Sequence, residues 1–493
     1  MDTIWVFGDQ LNRRLGALAD AEPGRDRILL LESEAKLGSK GFHRQRLHLV
    51  LTAMRTFADE LRRAGFEVDD RRASSYAEGL RAHRAEHRPG VVRATEPCSL
   101  AAAALLERLE VEAVRSNQFL CHRDEFSAWA EGRRRLTMED FYRWQRRRLG
   151  YLMDGDEPVG GRWNFDAENR EPPPPDADWP VPTRSRLGTR DREVLASLPA
   201  SAWGAEPEGW WPTSRRSALA RLRWFVQEAL PHFGPHQDAM TDASWHLAHS
   251  LLSSSLNIGL LLPDEVCDAV EAAYRQGDVP IASAEGFVRQ VIGWREYVWG
   301  LYWLWMPGFA RANELGAERP LPPVYTGTST RMRCVDATMT SVEANGWAHH
   351  IQRLMVLGNL GLLAGVRPTE LVDWFWRSFV DGSEWVMVPN VIGMALHADG
   401  GRMATKPYAG GGAYIDRMSD YCGSCSFDPR KRVGDDACPF TSLYWDFVAR
   451  HRARFATNRR MANQVSGLGR LADLPETRRR ARRVLELLDA GEL

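Results

Sequence analysis

The chain has 493 residues, 44% hydrophobic and 26% charged, which is enough for two or three domains with a sizeable core. Its formal net charge is −1, so it has no basic field overall, and any nucleic-acid contact must come from a local patch. No uncharged apolar run of about 18 or more residues occurs, so no membrane-spanning helix is predicted.

Met1 to Gln10 opens as a strand, not as a charged and then apolar leader, and the expected location is cytoplasmic. Thr3–Gly8 and Arg27–Glu32 are short apolar runs that read as strands. His43–Gly65 carries Leu47, Val50, Leu51, Met54, Phe57 and Leu61 at helical spacing. Val91–Thr95 and Val111–Ser116 read as further strands around the Ala-rich helix Ser99–Leu109. The alternation predicts an α/β domain over residues 1–125 with a mostly parallel, Rossmann-like sheet. Ligands of such a sheet sit at the carboxyl ends of its strands, where Asp9 and Gln10 lie. No glycine-rich phosphate fingerprint is present, so an ordinary dinucleotide site is not expected there.

Residues 121–150 hold eight arginines against five acids, a local net of +3. A solvated helix face and a phosphate-contacting patch both explain this. A connector is expected over 126–204, with Pro172–Pro175 holding an extended segment. Residues 205–493 read as an all-α domain, with helices at Arg216–Leu230, Glu285–Trp305, Ser341–Ala364 and Pro368–Val380. The 19 tryptophans, most of them after residue 200, serve either helix packing or a redox cofactor.

The seven cysteines are an odd set, and a disulfide framework is not expected in a reducing compartment. Cys422 and Cys425 form a C-x-x-C pair, Cys438 follows, and Cys334 lies far upstream. Four cysteines can hold zinc or an iron–sulfur cluster, and spacing alone does not choose. Cys98, Cys121 and Cys267 read as plain buried residues.

Several long motifs then coincide. Gly160–Arg170 (GGRWNFDAENR), His249–Ser253 (HSLLS) and Gly293–Tyr297 (GWREY) occur in order. Ala348–Arg353 (AHHIQR), Val388–Met394 (VPNVIGM) and Met418–Cys422 (MSDYC) follow. Together they resemble the iron–sulfur branch of the photolyase/cryptochrome family, prokaryotic (6-4) photolyases above all. The four-cysteine spacing matches that branch too, which favours a [4Fe–4S] cluster on Cys334, Cys422, Cys425 and Cys438.

The resemblance implies the photolyase/cryptochrome fold, with FAD inside the helical domain. Ser250, Leu252 and Ser253 match a flavin-phosphate turn, and Gln290 and Arg295 match flavin-facing helix positions. Arg353 and Asp381 match a pair beside the flavin ring, Asn390 the residue facing flavin N5, and Trp374 an electron donor. Relatives often have an acid at the position of Gln290, and aromatic relays at those of Thr326 and Ser383. The branch also carries a 6,7-dimethyl-8-ribityllumazine antenna, for which Asp9 and Gln10 are the candidate contacts. Lys36 stands where close relatives have an acid. His350 matches the lesion-facing histidine and His349 its neighbour. On the expected helix the two side chains point about 100° apart. Leu354 replaces the second histidine of eukaryotic members.

The implied enzyme is a monomer that repairs (6-4) photoproducts in UV-damaged duplex DNA with light, and no membrane partner is expected. A cryptochrome-like photoreceptor with the same cofactors, or cyclobutane dimer repair, is the competing reading. A primase-like iron–sulfur protein would lack the flavin motifs.

Overall fold

Five short strands give the chain its first layer. They are β1 (Asp2–Val6), β2 (Asp26–Ser33), β3 (Glu67–Ala73), β4 (Val92–Thr95) and β5 (Glu112–Val114). All pair in parallel, in the order β3-β2-β1-β4-β5. The computed structural model describes every residue, Met1–Leu493.

Side chains alternate across the pleat, so each central strand serves two cores. Ile4, Val6, Ile28 and Leu30 pack with Leu49, Met54 and Phe57 of α1 (Arg44–Arg63). Trp5, Phe7, Leu29 and Leu31 face the other way. They meet Leu80 of α2 (Tyr76–His87) and Leu106 of α3 (Leu100–Arg108). β3 and α2 have no counterpart among the expected elements. The β3 sequence, EVDDRRA, shows no apolar alternation, because an edge strand pairs on one side only and needs no buried face.

The strand order reverses at β1, which places the switch point between β1 and β4. Gln10 bridges this gap, its Nε2 donating to Thr95 O at 3.3 Å and Glu96 O at 3.0 Å.

The rest of the chain is mostly helical, as the apolar spacing implies. Residues expected to begin the connector instead form two helices, Arg123–Ala130 and Met138–Leu149, packed on the helical region. Tyr142 donates its hydroxyl to Glu285 at 2.9 Å. The arginine run there divides. Arg146 is fully buried and donates to the carbonyl oxygens of Tyr151, Leu152 and Trp163. It holds the chain reversal after its helix and is unavailable to phosphates, so only part of the 121–150 arginine set can form a patch. Arg133, Arg134 and Arg135 are exposed and share an open groove with Arg402.

The start of α1 locks the two regions together. His43 Nε2 lies 3.1 Å from Glu343 O. Arg46 donates to the carbonyl oxygens of Trp376, Phe379 and Gly382. Trp211 donates its indole N–H to Gln45 and to Asn345 O.

The expected helix Ser341–Ala364 is two helices. The first, Arg333–Asn345, ends at Gly346, whose φ of 61° is left-handed. A Cβ at Gly346 would stand 2.8 Å from His43 Nδ1, so the stop also makes room for α1. Helical structure resumes at His350 and runs on through Gln352–Gly358 and Asn359–Ala364. Apolar spacing continues across the break and conceals it. The helix expected to end at Val380 stops at Ser378.

Candidate active site: a cavity walled by three π-helical turns

A cavity of about 320 Å³ opens within the helical region. Of the 28 residues lining it, 18 are hydrophobic, the usual make-up of a small-molecule site with a few placed polar groups. Three wall segments are π-helical turns: Arg289–Arg295, Gln352–Gly358 and Asn390–Ala395. Each inserts an extra residue per turn, and such turns concentrate at functional sites. They bring Gln290 and Arg295, Arg353 and Leu354, and Asn390 to one space.

Arg353 and Asp381 form its main ion pair. Arg353 Nη1 donates to Asp381 Oδ1 at 2.9 Å, and Nη2 to Oδ2 at 3.2 Å. Ser253 donates its hydroxyl to the same carboxylate at 2.7 Å, and Asn257 donates to Asp381 O at 2.9 Å. Arg295 is held more loosely, its Nη2 donating to Leu256 O at 3.4 Å and its Nη1 lying 3.9 Å from Glu296 Oε1. Its Nε and Nη1 are buried without a hydrogen bond, and burial lowers its pKa to about 10. Its guanidinium lies over Phe119 and Trp385. An unsatisfied buried cation on a cavity wall fits an anionic or strongly polar ligand.

The stretch 246–252 carries backbone strain. Leu247 and Leu251 both have left-handed φ values, 46° and 56°. Each costs on the order of 1–3 kcal/mol and persists only where the surroundings enforce it, as at ligand clamps. Ser250, Leu252 and Ser253 all line the cavity beside this turn.

His350 lines the cavity and its edge is open to it. The protein packed around the ring, and then the Arg353 charge, push its pKa down to about 4. His349 does not line the cavity. It lies behind the wall, fully buried, its ring stacked on His249 at 4.8 Å. Both His349 nitrogens lack partners. Burial lowers its pKa well below the ordinary value, and lowers that of His249 to about 3. Leu354 lines the cavity one turn beyond His350. Both histidines stand at a helix start rather than mid-helix, because of the Gly346 break.

Trp374 is a buried residue one layer back. It packs on Phe375, which does line the cavity, and donates its indole N–H to Tyr325 O. Trp294, Trp347 and Trp385 line the cavity and were not among the expected site residues. Nothing in their spacing distinguishes them from packing tryptophans.

Two further places carry expected residues. Cys334, Cys422, Cys425 and Cys438 border one small pocket with Met332, Phe427 and Phe440, and none is in a disulfide. Burial raises the Cys334 and Cys438 thiols and pushes Cys422 up to about 12. No three of these sulfurs lie within 4.8 Å of one another. Asp9 sits at the switch point of the sheet, where burial raises its pKa against the pull of Lys36 and Arg46.

A parallel α/β layer docked on a helical region with such a cavity defines the photolyase/cryptochrome class. The chain is similar in fold to a bacterial class III photolyase from Agrobacterium tumefaciens, with TM-score 0.60, 17% identity and coverage of 99% of this chain and 98% of that one. It is also similar to a cryptochrome from Synechocystis, with TM-score 0.54, 14% identity and coverage of 80% and 82%. A family profile described as "Deoxyribodipyrimidine photo-lyase-related protein" matches residues 4–203. A protein of Agrobacterium fabrum named (6-4) photolyase is 40% identical over 485 residues, covering 95% of this chain and 96% of the relative. This chain belongs to the (6-4) photolyase family.

The half-buried His249 and the cavity-facing His350 set a pH dependence. The folded pKa values of His249 and His350, about 3 and about 4, lie below the ordinary 6.5. Below about pH 6.5 the unfolded chain binds protons that the folded chain refuses, so stability falls with pH down to about 4. Melting temperature measured across that window should drop, and drop less in His249→Phe. A flat profile contradicts the assignment.

Proposed function

We propose that this protein uses light to repair (6-4) pyrimidine photoproducts in UV-damaged duplex DNA, with FAD held in the helical-region cavity. The observation that carries this is a convergence. Ser250, Leu252, Ser253, Gln290, Arg295, His350, Arg353, Asp381 and Asn390 come from separated segments and line one space.

The residues present fit a flavin dinucleotide. Arg295, with Nε and Nη1 free of hydrogen bonds, and the strained turn at 247–251 supply cationic and backbone donors for phosphates. Trp294, Trp385 and Val291 supply flat apolar walls. When bound and reduced, the flavin supplies one electron to the lesion on excitation and takes it back.

The side chains do the remaining work. Arg353, fixed by Asp381, keeps a positive charge beside the cavity. Asn390 Nδ2 already donates to Val386 O at 2.8 Å, which leaves its carbonyl oxygen for a ligand N–H. His350 serves the lesion. A (6-4) repair must move a hydroxyl between bases, and a positioned imidazole can donate a proton or hydrogen bond to the electron-rich lesion. Its low pKa keeps it uncharged until a negative group arrives, and that group then favours protonation. His349 supports it from behind. A damaged base stacks poorly, so turning it out to the cavity costs less than for a normal pair.

Phosphate contacts are assigned to the groove of Arg133, Arg134, Arg135 and Arg402. The functional division is an antenna domain at 1–125, a connector at 126–204 and a flavin domain at 205–493. A ribityllumazine antenna would contact Asp9 and Gln10 at the switch point. Trp374 remains the proposed electron donor to the flavin, through Phe375. The enzyme acts as a monomer.

The four cysteines are assigned to a [4Fe–4S] cluster. Four cysteines around one small, mostly hydrophobic pocket are a donor set that fits such a cluster. It would fasten helices Arg333–Asn345 and Pro439–Arg450 to the C-x-x-C turn between them.

Two measurements check these assignments. His350→Ala should retain flavin and its photoreduction but lose (6-4) repair by about 100-fold or more, the usual scale of a general acid. His349→Ala should lose less, and repair by His350→Ala at the unmodified rate would refute the role. Elemental analysis of anaerobically prepared protein should find about four irons per chain. Zinc without iron would refute the cluster.

A further inference from the structure

Far from the cavity in the chain, one cluster gathers metal-type ligands. Asp69 lies on β3, and His83 and His87 lie one turn apart on α2, hence on one face of it. Their ligand atoms all fall within 4.8 Å of one another. Asp69 Oδ2 is 2.5 Å from His83 Nδ1 and 3.5 Å from His87 Nε2. Glu86 Oε1 is 3.6 Å from His87 Nε2.

The surroundings are those of a held ligand set. His83 is fully buried, and its other ring nitrogen, Nε2, meets Thr3 Oγ1 at 2.8 Å. Metal-bound imidazoles are commonly fixed by such an outer hydrogen bond. Burial works against ionisation of Asp69, yet its bonds to His83 and Arg71 hold its pKa at about 2. Arg71 Nε donates to Asp69 Oδ1 at 2.8 Å, and its Nη2 is shared between Asp69 Oδ2 at 2.5 Å and Glu86 at 2.9 Å. An ion at Asp69 Oδ2 would take the place of Arg71 Nη2 there, which keeps its bond to Glu86 while Nε keeps Oδ1. Ligands of a zinc ion at about 2.0–2.1 Å stand about 3.3 Å apart. The Asp69–His87 separation already matches, and His83 needs to withdraw by less than about 1 Å.

We propose that Asp69, His83 and His87 form a binding site for a divalent cation of the zinc class, with Glu86 or water as the fourth ligand. Two imidazoles select borderline-soft ions over magnesium. The site shares no residue with the cavity or the cysteine group. Its place explains its use. β3 is an edge strand without an apolar face, and the core beneath α2 has only 9 buried residues. An ion bridging β3 and α2 would clamp that edge, because binding to the folded state alone adds to its stability.

Calorimetric titration of zinc into the full-length holoprotein tests this, with His87→Ala titrated alongside. His87 is partly exposed, and His87→Gln gives a second, conservative variant. Both variants keep the cysteine group, so the difference from the unmodified protein reports this site. The unmodified protein should bind one more zinc per chain, and zinc should raise its melting temperature. The variants should bind at that site at least about tenfold more weakly and show a smaller melting shift. Equal stoichiometry and equal shifts in all three proteins would overturn the proposal. So would magnesium binding as tight as zinc.

Discussion

The Asp381 carboxylate is the joint on which the cavity depends. It receives Arg353 from one π-helical turn and Ser253 from the strained turn, and its own carbonyl receives Asn257. Three distant segments therefore meet at one residue. The pair is largely buried, with side-chain exposures of 15% for Arg353 and 8% for Asp381. Breaking a buried pair costs roughly 3–5 kcal/mol, the same order as the roughly 2–6 kcal/mol held at the two left-handed leucines together. The pair therefore offsets much of the strain in the turn. The loop carrying Asp381 is in turn held by Arg46 of α1, through Phe379 and Gly382. The α/β layer thus reaches the cavity wall through its first helix.

Charge is distributed to match. The chain carries almost no net charge, yet the cavity gathers Arg295, Arg353 and His350 against one carboxylate, Asp381. Its histidines stay uncharged at neutral pH because burial and Arg353 disfavour a further cation. Such a site is poised for an anionic guest and for negative charge arriving later. The exposed arginines at 133–135 lie elsewhere. In the proposed function, substrate attraction and cofactor holding fall on separate surfaces.

Much of this was legible in the sequence. The short apolar runs at β1 and β2 and the spacing in α1 predicted the parallel layer. Ordered motifs picked out nine residues that the fold brings to one cavity. What stayed hidden has physical causes. β3 is charged because an edge strand needs no buried face. The Gly346 break is masked by apolar spacing that continues on both sides. Arg146 looks like its neighbours in sequence, and only the chain reversal after its helix buries it. Trp385 has the same composition signal as any packing tryptophan. The π-helical turns leave no trace in the spacing at all.

The central claim is that this cavity drives light-dependent chemistry on a (6-4) lesion. The most direct measurement is illumination of the reduced holoprotein with two duplexes, one carrying a (6-4) product and one a cyclobutane dimer. The account predicts restoration of intact bases in the first duplex, only under light, and little or none in the second. Repair of the cyclobutane dimer alone, or of neither lesion, would contradict it.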